Sequence, residues 1–63
     1  MHFVEFTAVE ENEESKPVHI NPMKISIVWH HTEESTGLLI GGMAFYVAGN
    51  VNNTLARIRG AYQ

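Results

Sequence analysis

The sequence predicts a small α+β domain: an antiparallel meander of four to five short strands with one C-terminal helix packed on one face. Three observations predict it. Up to residue 47 the apolar residues fall in short runs that alternate with a period of two. Gly41-Gly42 sits between two such runs, where both positions tolerate positive φ. From residue 51 the apolar spacing becomes that of a helix.

Strand one is expected over residues 2–9, where Val4, Phe6 and Ala8 alternate with Phe3, Glu5 and Thr7. The segment EENEESK that follows has four glutamates and no apolar residue, and reads as a solvated connection. Strand two is expected over 17–21, with Val18 and Ile20 on one side, His19 on the other, and Pro17 at a strand start or edge. Asn21-Pro22 then turns the chain. Strand three, over 24–31, is the strongest: it places Ile25, Ile27 and Trp29 together and Ser26, Val28 and His30 opposite. On that pattern Trp29 fills the core against Leu55 and Ile58 of the helix.

TEESTG (32–37) supplies turn chemistry before strand four, LLI over 38–40, and Gly41-Gly42 joins it in a hairpin to strand five over 43–47. In strand five Met43, Phe45 and Val47 face the core, with Ala44 and Tyr46 opposite. The helix is expected over 51–60, its stripe made by Val51, Leu55 and Ile58. Asn50 is typed to cap it and Gly60 to end it in a left-handed conformation.

A 63-residue chain buries only about 60% of the surface its unfolded form exposes. Chains of this size recover the deficit with disulfides, a structural metal or oligomerisation. Cysteine is absent, which removes disulfides and thiolate metal sites and leaves oligomerisation as the leading route. The formal net charge of -3, with all the acidic residues in the first 34 positions, argues against binding along a phosphate backbone. Arg57 and Arg59 leave one small basic patch, and with Lys24 and an exposed aromatic they define a weak nucleic-acid alternative. The start has no basic segment followed by an apolar one, and no apolar run approaches the roughly 20 residues of a membrane helix. A cytoplasmic protein without membrane contact is expected. NNT at 52–54 matches a glycosylation sequon, read as chance without an export signal.

Chemistry is sparse. Adjacent strand residues point to opposite faces, so His30 and His31 cannot chelate one metal unless the strand has ended before them. His19 and His30 would approach each other if strands two and three paired across Asn21-Pro22, and neutral imidazoles so placed respond to pH. Ser15, Ser26 and Ser35 lie in no elbow-like glycine frame, and Gly41-Gly42 is not followed by a helix that could cradle phosphate. Neither an enzyme nor a cofactor or metal site is expected.

The informative set is Phe3, Val28, Leu39 and Tyr46. Each falls on the side that a single helix layer leaves uncovered, and together they make that side apolar. Two outcomes remain open: packing against a second copy, or barrel-like closure within one chain that buries the same residues. His19 and His30 join this set as candidate contact residues.

Three stretches, FVEFT (3–7), VHINPMKI (18–25) and YVAGNVNNTLARI (46–58), resemble in that order the small bacterial proteins grouped as FlbD-like, from flagellar gene clusters, and related phage or bacterial proteins. Asn50 stands where that pattern has a capping serine, Asn52 and Asn53 replace glutamates of the first helical turn, and Thr54 replaces a valine. The resemblance implies the same order of elements and a regulatory or assembly partner rather than a reaction. The expected function is a non-catalytic protein-protein interaction or regulatory module, self-associating through an apolar sheet face. The alternative within the binding class is a phage-type inhibitor that offers Glu10, Glu11, Glu13 and Glu14 to a basic groove of a host protein.

Overall fold

The computed structural model describes residues 3–9 and 15–61. His2 and the acidic run at 10–14 lie outside the described residues. Five strands and one helix follow one another: β1 (Val4–Ala8), β2 (Lys16–Ile20), β3 (Ile25–Thr32), β4 (Ser35–Ile40), β5 (Met43–Ala48) and α1 (Val51–Ala61). A single 3-10 turn, Pro22–Lys24, links β2 to β3. Asn21 sets up that turn by accepting a hydrogen bond from the Met23 amide at 3.0 Å. The α+β architecture, an antiparallel sheet carrying one C-terminal helix, is as the sequence predicts.

The strand order is β2-β1-β5-β4-β3. β3, β4 and β5 form a meander, while β1 and β2 form a separate hairpin ribbon. Among the described residues the ribbon joins the meander where Ala8 pairs with Val47 and the Val9 amide donates to the Tyr46 carbonyl at 2.8 Å. β2 and β3 therefore occupy opposite edges and do not pair across Asn21-Pro22. Four residues must still connect those edges, three of them in a compact helical turn. A flat five-stranded sheet would hold its edges roughly 19 Å apart, so the sheet curls. The packing agrees: Val18 of one edge and Val28 of the other both touch the same central cluster.

That cluster is Phe6, Leu38 and Val47, the fully buried apolar side chains among the described residues. Val4, Ile20, Ile25, Ile40 and Ile58 pack around it. The Arg57 guanidinium stands 4.7 Å over the Phe6 ring and donates to the Glu5 carbonyl, tying α1 to β1.

Local chemistry explains the ends of the elements. Gly41 and Gly42 have φ of 57° and 81°, the pair of positive values that a tight hairpin between Ile40 and Met43 requires. Asn50 caps α1, its Oδ1 accepting from the Asn53 amide at 2.9 Å. Gly60 does not end the helix; it lies within α1 without a positive φ, and the helix runs on to Ala61.

Three expectations about facing are overturned. A bulge between Ile25 and Ile27 pairs Ile25 with Ile40 but Ile27 with Leu39. One inserted residue reverses the alternation of everything after it. Val28 therefore turns toward the cluster, while Ile27 and Trp29 turn to the face away from the helix. Trp29 does not pack on Leu55 and Ile58. Secondly, β4 begins at Ser35, so Ser35, Thr36 and Gly37 are buried strand residues and the turn is Glu33-Glu34 alone. Thirdly, the buried residue of the helix is Thr54. Its hydroxyl donates to Thr36 Oγ1 at 3.2 Å, and the Thr36 hydroxyl donates to the Gly49 carbonyl at 2.8 Å. Every buried side-chain polar atom among the described residues has a partner, as burial demands.

With so small a core, single truncations are costly. Phe6→Ala is expected to lose about 3–5 kcal/mol, comparable with the whole stability of a chain this long, and a urea titration followed by circular dichroism should find no folded baseline. Asn50→Ala should lose about 1 kcal/mol and keep the fold.

Candidate interaction surface

The helix side of the sheet carries Thr36, Leu38, Val47 and Val28, as the Thr54–Thr36 hydrogen bond and the contact of Ile58 with the cluster require. Among the described residues no element forms a second layer on the other side of β3, β4 and β5. Register places Ile27, Leu39 and Ala44 in one row there, and Trp29, Gly37 and Tyr46 in the next. Ile27 is 54% exposed, unusual for an isoleucine inside a strand.

Trp29 anchors this face. Its indole lies over Gly37, where a Cβ would overlap the ring, so the glycine is required for close approach rather than for a turn. Tyr46 meets the indole edge-on, with ring centroids 6.1 Å apart and planes at 85°. That is the T-shaped arrangement favoured by the ring quadrupoles. The His31 ring tilts against the other side of Tyr46 at 4.2 Å between centroids. His31 Nδ1 also shares a hydrogen bond with Ser35 Oγ at 2.9 Å, and Ser35 Oγ lies 2.6 Å from Thr32 Oγ1. His31 is thus engaged with Ser35 and Tyr46 rather than with Glu33 and Glu34. No group of three or more potential metal ligands occurs among the described residues.

The sequence-predicted contact residues are divided by this arrangement. Leu39 and Tyr46 share the uncovered face. Val28 lies on the helix side, turned there by the bulge. His30 pairs with Thr36 and shares that side, though it is exposed. His19 pairs with Glu5 on β2, at the opposite edge of the sheet. Phe3 precedes β1 at its far end from the contact with β5. His19 and His30 are therefore not neighbours along any strand pairing. Sequence alternation missed Ile27 and placed Trp29 in the wrong layer because a bulge has no reliable single-sequence signal.

One more feature interrupts the surface. A cavity of about 300 Å³ opens on the concave side, between the β1–β2 ribbon and β4–β5, with walls formed by Ala8, Val18, Ile20, Ile40, Phe45 and Val47. Phe45 remains 42% exposed although its register points it to the helix side, and no described residue of α1 lines the cavity beside it.

The fold and its surfaces define a small sheet-and-helix domain with an uncovered aromatic face. No family model matches the chain, and no curated protein and no solved structure matches it either. Among the described residues no helix is long and apolar enough to cross a membrane.

Gly37→Ala tests the anchoring of the face. The added methyl must lift the indole from β4, so the variant should lose about 1–3 kcal/mol and show Trp29 emission shifted to the red. Unchanged stability and emission would mean that the indole does not rest on Gly37.

Proposed function

We propose that this protein is a non-catalytic protein-interaction module that associates with a second copy of itself through the uncovered face of β3, β4 and β5. The observation that carries the reading is electrostatic: these three strands contain no Asp, Glu, Lys or Arg, while charged residues occur in β1, β2, the β3–β4 turn and α1. Interface cores are depleted of charge and enriched in aromatic residues, and this face combines that depletion with Trp29, Tyr46, Ile27 and Leu39.

The edges of the sheet favour face-to-face contact over strand addition. β2 carries Lys16 and Pro17, the latter with no amide proton to donate. β3 is broken by register shifts at Ile25/Ile27 and His30/Thr32. Both are devices that blunt an edge against a further strand.

A second copy is the occupant for two reasons. An isologous contact brings a patch against itself, and a patch without charge meets no like-charge repulsion when it does so. The single-chain core also contains just three fully buried apolar side chains among the described residues, so burying a second apolar layer stabilises a domain that needs it. The strand spacing and rise give this face a footprint on the order of 300 Å², well short of the roughly 800 Å² per partner of a standard interface. The association is accordingly weak and sensitive to dilution. The FlbD-like resemblance, which implies action through a partner, agrees with this reading.

Sedimentation velocity across a dilution series should show the average mass rising with concentration. Ile27→Glu, placing a charge at the exposed centre of the face, should hold the protein monomeric without unfolding it, whereas Met23→Glu in the 3-10 turn should behave as wild type. A wild-type mass constant at one chain, or an Ile27→Glu variant that associates as before, would overturn the proposal.

A further inference from the structure

The concave cavity is chemically unlike the face opposite it. Its walls are aliphatic and aromatic, contributed by both halves of the sheet; His19 of β2, Asn21 and Lys24 of the β2–β3 link and Tyr46 of β5 complete the lining. Lys24 belongs to that lining and is exposed, so its flexible side chain can bring a positive charge to the opening. A volume of about 300 Å³ lies at the small end of the range for ligand sites. Taking about 30 Å³ for each water-sized group, it holds roughly ten non-hydrogen atoms.

We propose that this cavity is a binding site for a free amphipathic carboxylate with an aliphatic tail of about eight carbons. The tail lies among Val18, Ile20, Ile40 and Phe45, and the carboxylate meets Lys24 at the rim. The site explains why Phe45 and Ile40 are left beside open space in a chain with few apolar residues to spare: ligand atoms complete the packing that α1 does not reach. It uses the concave side of the sheet and does not rest on self-association through the convex side.

Octanoate and 1-octanol, which share the tail length and differ in charge, are the probes. Titration of methyl-labelled protein, followed by NMR, should give saturable shifts centred on Val18, Ile20 and Ile40, with an octanoate Kd on the order of 1 mM for a ligand of this size. An ion pair at an exposed lysine contributes little, so octanoate should bind only about threefold more tightly than octanol. Lys24→Gln should abolish that difference while leaving octanol binding intact, and Val18→Phe should fill the cavity and abolish both. Should Val18→Phe fail to fold, the Lys24→Gln comparison decides by itself. Absence of saturable shifts up to about 10 mM, shifts centred on Ile27 and Trp29 instead, or equal binding of the two probes to the wild type would overturn the proposal. Ile27→Glu should bind octanoate as the wild type does, so that loss of self-association and loss of this site are read separately.

Discussion

Burial of Phe6 is the contact on which the rest of the molecule depends. Among the described residues the β1–β2 ribbon is joined to the meander by the pairing of Ala8 with Val47 and the Val9–Tyr46 hydrogen bond, a short ladder for holding two halves of a sheet in one orientation. Phe6 supplies what the ladder lacks. Its ring reaches Leu38 and Val47 of the meander, is covered by the Arg57 guanidinium, and so couples ribbon, sheet and helix through one side chain. Each fully buried aromatic side chain is worth a few kcal/mol, which in a chain of this size is a large share of the total.

Once the ribbon is seated, the curl of the sheet follows from the short link between opposite edges, and the two surfaces follow from the curl. The concave side carries both the helix and the cavity, and no described residue of α1 lines that cavity. The convex side of β3, β4 and β5 faces away from the other described elements. The hydroxyl relay from Thr54 through Thr36 to the Gly49 carbonyl ties the N-terminal part of the helix to β4. Such a relay is favourable only because each member is satisfied in a dry setting.

The convex face owes its character to a defect in alternation. Without the bulge at Ser26, Ile27 and Trp29 would lie under the helix and Val28 and His30 outside, giving an ordinary amphipathic edge strand. The bulge exchanges them. It leaves an isoleucine exposed and seats the indole on Gly37, the one position in β4 where a bare backbone admits it. The same distortion disrupts the outer edge of β3, so one inserted residue both blunts the edge and creates the aromatic face.

By itself the sequence determined the order and type of the elements and several of the turns and caps between them, though not the start of β4 or the end of α1. The period-two runs, the Gly41-Gly42 hairpin, the Asn21-Pro22 turn and the Asn50 cap are local, because each depends on backbone torsions or on a side chain reaching an amide two or three residues away. It also placed Leu39 and Tyr46 together, since their alternation is undisturbed by any bulge between them. Tertiary structure decided the rest. Which strand lies beside β5, which side Val28 and Trp29 face, that Thr54 rather than a large apolar residue is the buried point of the helix, and that Val18 and Phe45 share a cavity all depend on contacts between segments distant in the chain. Periodicity reports which residues share a side of a regular strand. It does not report where the strand departs from regularity, or what another strand will bring against it.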